Sequence, residues 1–183
     1  MPMSSNSTNA EVFVYTGAGG VEVPDDVVRV RVDPSVTSIP TRAFRERNKL
    51  AEVELCEGLV EIGEWSFARC DHSITKINIP NSLRRIRDWA FYNSLRTLIR
   101  LHDGIESIRE YAFSHCIFSP TLYPAPLITV IHECMFHACA TIFSLELPED
   151  VREFKCGLFP PNADLTYNIY NLFAPSCALA ATP

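Results

Sequence analysis

A phenylalanine returns along this chain at an almost fixed interval. Phe44, Phe67, Phe91, Phe113, Phe136 and Phe159 are separated by 23, 24, 22, 23 and 23 residues. Self-similarity at a period of roughly 20–50 residues is the mark of a solenoid. Other positions keep the same register. Five residues before each phenylalanine stand Ile39, Ile62, Ile86, Ile108, Ile131 and Phe154. Three further back stand Val36, Leu59, Leu83, Ile105, Ile128 and Val151. Upstream come the strand-like pairs Val30/Val32, Val53/Leu55, Ile77/Ile79, Leu98/Leu101 and Leu145/Leu147. The fifth unit is degenerate there, with Leu122 and Pro124, and the extra residue between Leu98 and Leu101 predicts a local bulge.

One such unit cannot bury its own apolar face. Stacked units set each position above its counterpart, roughly 4.8 Å away along a parallel ladder. The phenylalanines then make a continuous spine, and the Ile, Val and Leu positions make columns beside it. Each buried side chain is worth about 1.5–3 kcal/mol.

The unit L-x-x-I-x-I-P-x-x-L-x-x-I-x-x-x-A-F-x-x-C resembles the BspA-type leucine-rich repeat. It is seen in Ile74–Leu95 and Ile142–Phe159, and in Ala43-Phe44, Ala90-Phe91 and Ala112-Phe113 with Cys70, Cys116 and Cys139. The proline after the strand survives as Pro80 and Pro148, and the glycine after the second isoleucine only as Gly63. The resemblance implies a right-handed leucine-rich-repeat superhelix with a parallel β-sheet on its concave face and short helical turns or loops on the other. It also implies no catalytic residues and a role in contacting other proteins.

The chain then divides as follows. Residues 1–10 are expected to be a disordered N-terminus, and 11–26 a β-hairpin cap, because two β-rich runs flank Gly17–Gly20. Residues 27–159 are the repeats. Residues 160–173 supply a capping strand and 174–183 a flexible tail.

Composition narrows the function classes. Hydrophobic residues make up 47% and charged residues 21% of the 183, which suits a folded core. The net charge of -6 argues against a polyanionic partner, so no nucleic acid is expected. The start MPMSSNSTNA is polar, and no stretch approaches the ~18 apolar residues of a membrane span. Without export the sequon at Asn6 is idle, and the seven cysteines, none in a C-x-x-C pair, read as reduced thiols. A cytoplasmic monomer is the expectation.

His132, Cys134, His137 and Cys139 form H-x-C-x-x-H-x-C, but the register turns Cys139 inward beside Cys70 and Cys116, so four zinc ligands would not converge. Asp71-His72-Ser73 is contiguous, and a triad needs members from separate segments. Arginines 84, 85, 87, 96, 100 and 109 are interspersed with Asp88, Asp103, Glu106 and Glu110, a mixed-charge surface. No catalytic residue, cofactor or metal is expected. Two surfaces remain as candidates for binding a protein. Strand alternation turns Arg29/Arg31, Glu52/Glu54 and Lys76/Asn78 outward on successive rungs. Trp65 and Trp89 share one position of the repeat, with Tyr111 next, and aromatics of this kind are frequent hot spots. A protein-interaction scaffold is the leading reading. A surface or adhesion module and an orphan repeat fragment without a dedicated partner are the alternatives.

Overall fold

A computed structural model describes residues 11–17, 22–97, 99, 101–117, 121–122, 127, 130–132, 134–139, 144–145 and 153–154. Its strands are β1 (Val12–Tyr15), β2 (Arg29–Val32), β3 (Ser38–Ile39), β4 (Glu52–Glu54), β5 (Glu61–Ile62), β6 (Lys76–Ile77), β7 (Arg85–Ile86), β8 (Ser107–Ile108), β9 (Thr121–Leu122), β10 (Val130–Ile131), β11 (Ser144–Leu145) and β12 (Glu153–Phe154). Every pairing between them is parallel. Successive coils build a main sheet, ordered β1-β2-β4-β6, and a second sheet, ordered β3-β5-β7-β8. Further along, β9 pairs with β11 and β10 with β12.

The pairing register matches the repeat register. Val30 lies opposite Val53 and Val53 opposite Ile77; Ile39, Ile62, Ile86 and Ile108 lie in one row. The phenylalanine rings form the spine. Phe44–Phe67, Phe67–Phe91, Phe91–Phe113 and Phe113–Phe136 are stacked with centroids 4.9, 5.3, 5.5 and 6.0 Å apart. All five rings are buried.

The third side of each coil is built of turns, and no helix occurs among the described residues. Its backbone follows one rule. Residues two before and two after each phenylalanine have positive φ: Arg42 and Glu46, Trp65 and Arg69, Trp89 and Asn93, Tyr111 and His115, Cys134 and Ala138. A left-handed residue with a Cβ costs about 1–2 kcal/mol. Between the two left-handed residues every second N–H turns to the next coil: Arg42, Phe44 and Glu46 donate to the carbonyls of Glu64, Ser66 and Ala68 at 3.0, 2.7 and 2.8 Å, while Ala43 and Arg45 donate within their own coil. The coil-to-coil bonds offset the strain.

The start of the chain departs from expectation. β1 runs parallel to β2, so Val12–Tyr15 is the first rung of the main sheet and not one arm of an antiparallel hairpin. Val21 lies outside the described residues, and Glu22–Pro24 carry no strand. The reason is packing. In this register Tyr15 sits over Val32 and its ring meets Phe44 edge-on at 4.9 Å, which opens the aromatic spine. The fourth coil departs too. Among the described residues the main sheet ends at β6, followed by an isolated parallel bridge between Ile74 and Leu95. Leu98 and Arg100 of the expected bulge lie outside the described residues, as do the termini 1–10, 160–173 and 174–183.

Candidate protein-binding surfaces

The outward face of the main sheet carries charge in alternating rungs. Arg29 lies opposite Glu52 and Arg31 opposite Glu54 because the β2–β4 register puts them there. The pairs close at 3.0 and 2.7 Å, and Lys76 reaches Glu52 at 3.7 Å. These groups stay wet, with side chains of Arg31, Glu54 and Lys76 51, 56 and 75% exposed. Exposed pairs of this kind contribute roughly 0–1 kcal/mol each. Asn78 does something else. Its amide accepts the Leu55 N–H at 3.0 Å and donates to the Leu55 carbonyl at 2.7 Å, extending the ladder by one side chain.

Trp65 and Trp89 belong to a different face, the turn side. Their rings stack at 4.7 Å with 4° between planes, and Tyr111 continues the pile at 4.0 Å. The Arg45 guanidinium lies 5.6 Å over Trp65, and the Trp65 indole N–H donates to Glu64 Oε1 at 3.0 Å. Inner ring faces are thus occupied by one another, and the pile offers ring edges to solvent. Tyr92 leans edge-on against Trp89 at 5.0 Å and His115 at 5.1 Å, and His115 meets His137 at 5.8 Å. Burial first, then the neighbouring His137 and His72, hold the His115 pKa below its ordinary value. The eight candidate residues therefore form two separate surfaces.

Four arginines of the arginine-rich segment pair with carboxylates. Glu61 accepts Arg85 and Arg87 at 2.8 Å each, Arg85 and Arg84 approach Glu106 at 3.9 and 4.0 Å, and Arg109 approaches Asp88 at 3.8 Å. Hydrogen bonds from Arg87 and Arg85 hold the Glu61 carboxyl below its usual pKa.

The cysteine column has a structural job that spacing alone did not disclose. Three residues after its own phenylalanine, each member reaches back to the phenylalanine carbonyl of the preceding coil. Cys116 Sγ donates to Phe91 O at 3.0 Å and Cys139 Sγ to Phe113 O at 3.1 Å, while Cys70 Sγ lies between Phe44 O at 3.4 Å and its own Phe67 O at 3.2 Å. Ser94 takes the same place in the third coil and donates to Phe67 O. Burial pushes the Cys70 thiol to about 11 and the Cys116 thiol to about 12, and raises Cys139 as well. These thiols stay protonated, as donors must. The H-x-C-x-x-H-x-C residues are accordingly divided, with Cys139 inside and His137 on the histidine row. In the first coil Arg47 holds this place, donating to Arg45 O at 3.2 Å and Val23 O at 3.1 Å.

Comparison with known proteins gives the following. The family described as "BspA type Leucine rich repeat region" matches residues 25–139 and 70–171, in 6 copies. A leucine-rich repeat protein from Bacteroides ovatus superposes with a TM-score of 0.66 at 20% identity, over 73% of this chain and 35% of that one. The leucine-rich repeat protein of T. pallidum superposes with a TM-score of 0.61 at 22% identity, over 72% of each chain. This chain thus spans about a third of the B. ovatus protein's length. No curated protein matches it significantly. Among the described residues, no helix is long and apolar enough to cross a membrane.

Proposed function

The chain belongs to the BspA-type leucine-rich repeat family, and from that premise we propose that it is a non-catalytic scaffold that docks another protein. The docking surface is the outward face of the main sheet, formed by Arg29, Arg31, Glu52, Glu54 and Lys76. One observation supports it above the rest. Arg31, Glu54 and Lys76 are exposed and Arg29 and Glu52 half-buried, all on one strand ladder that sets their spacing, so a partner would meet a preset pattern at little ordering cost. Asn78 is set aside because both ends of its amide serve the backbone. The stacked Trp65 and Trp89 are a weaker candidate, since their facing sides are already used.

The test is a swap that keeps the fold. Arg29→Glu, Arg31→Glu, Glu52→Arg and Glu54→Arg together preserve both ion pairs while inverting the pattern shown to a partner. Immobilised wild-type chain should retain a defined protein from a lysate of its source cells. The swapped chain should lose it, and a Trp65→Ala, Trp89→Ala chain should keep it. Equal retention by wild-type and swapped chains contradicts the assignment.

A further inference from the structure

Among the described residues the main sheet ends at β1. β1 pairs with β2 on one side and with no described strand on the other. The direction of its polar groups can be worked out. Asp33 donates its N–H to the Tyr15 carbonyl at 2.8 Å, so Tyr15 faces β2, and Phe13, two residues earlier, does the same. By alternation the N–H and C=O groups of Val12, Val14 and Thr16 point outward along the free edge. Natural sheets protect such edges with lysines, prolines, bulges or a covering segment. Residues 12–16, VFVYT, contain neither a charge nor a proline. Val14 is 47% exposed, one of two large apolar side chains left in solvent among the described residues.

We propose that β1 pairs antiparallel with β1 of a second copy of this chain, about a two-fold axis through Val14, so that the two main sheets become one. Two demands fix that register. Residues facing each other must turn their polar groups to the partner, and their side chains must lie on the same side of the sheet. Centring on Val14 meets both. Val14 faces its own counterpart, Val12 faces Thr16, and each of these residues points its polar groups outward. This gives about six interchain hydrogen bonds on the pattern of an antiparallel ladder. The inner row then sets Phe13 against Tyr15, carrying the aromatic spine across the axis. Centring on Phe13 gives about four such bonds and puts Tyr15 opposite Glu11, a carboxylate facing the aromatic row.

Charge does not oppose this union. The nearest cations, Arg29 and Arg31, lie one strand back and are already held by Glu52 and Glu54 at 3.0 and 2.7 Å. Across the axis the two Arg31 residues stand about three strand spacings apart, roughly 14 Å, which exceeds the ~8 Å screening length of physiological salt. The interface is isologous and closes after two copies.

The experiment is the solution mass of the full chain by light scattering across a dilution series. The expected value is twice the 20.6 kDa of one chain. Val14→Lys should halve the mass with an unchanged circular dichroism spectrum. Val12→Pro should do likewise, because the N–H it removes faces the open edge. Val14→Thr, which keeps a β-branched side chain and the backbone pairing, should remain dimeric. Val14→Cys should oxidise to a covalent dimer across the axis, which the wild-type chain does not form. A wild-type chain monomeric at its highest soluble concentration overturns the proposal, as does a dimer untouched by both Val14→Lys and Val12→Pro.

Discussion

Replacing Cys116 by alanine removes the thiol that meets the Phe91 carbonyl at 3.0 Å in the middle of the stack. That carbonyl lies in the core, where water cannot replace the lost donor. An orphaned buried acceptor costs about 1–3 kcal/mol. The missing sulfur adds roughly 0.8 kcal/mol of lost apolar burial. Cys116→Ala should therefore destabilise by about 2–4 kcal/mol. Cys116→Ser keeps a donor, and Ser94 already fills this place one coil earlier. It should cost about 1 kcal/mol or less. For a chain of 183 residues, each kcal/mol lowers Tm by roughly 2–4 °C. Urea melts of the three proteins, with m unchanged, read the difference. If serine is as harmful as alanine, the hydrogen bond is irrelevant and the column matters only for its size.

The other predictions rest on neighbouring features. Cys70, Cys116 and Cys139 should resist alkylation in the native chain at pH 8 while half-exposed Cys56 reacts, as residue-resolved mass spectrometry would reveal. Ala138→Gly relieves a left-handed residue of φ 54° and removes only a methyl group. Set against the ~0.5–1 kcal/mol conformational cost of glycine, relief of about 1–2 kcal/mol should raise stability by up to ~1.5 kcal/mol, while Ala138→Val should lower it. The folded pKa of Glu61 is depressed by Arg87 and Arg85, so its contribution is present above the unfolded carboxylate value and lost as pH falls through the lower folded value. With both arginines about two-fifths exposed, and so screened by solvent, that contribution is at most about 1 kcal/mol, and Glu61→Gln should flatten the acid limb of a Tm-against-pH curve below about pH 4.3.

Much of this architecture could be read from residues alone. A ring every 22–24 residues has one economical packing solution, so the spine, the isoleucine row and the charge rungs all follow from one register. What escaped notice lay where a residue's partner is not its own counterpart. The thiols looked like small hydrophobes because their acceptor is a backbone carbonyl of the previous coil, which no side-chain pattern advertises. The left-handed pairs around each phenylalanine fall on Trp, Arg, His and Ala, not on the glycines that usually signal such turns. The first strand read as a hairpin arm because its glycine-rich sequel is a local signal, whereas the Tyr15 contact with Phe44 that selects parallel pairing is a long-range one. The tryptophans were legible as a stacked column, but that this stacking withdraws their facing sides from a partner was not.

The claim beneath all of this is that like positions of successive coils lie directly over one another. Nuclear Overhauser contacts among selectively labelled phenylalanine rings test it. The account predicts cross-peaks between Phe67 and Phe91 and between Phe91 and Phe113, whose centroids lie 5.3 and 5.5 Å apart, and none between Phe44 and Phe91, which are separated by the Phe67 ring. A Phe44–Phe91 contact, or no contact between rings of adjacent coils, contradicts it.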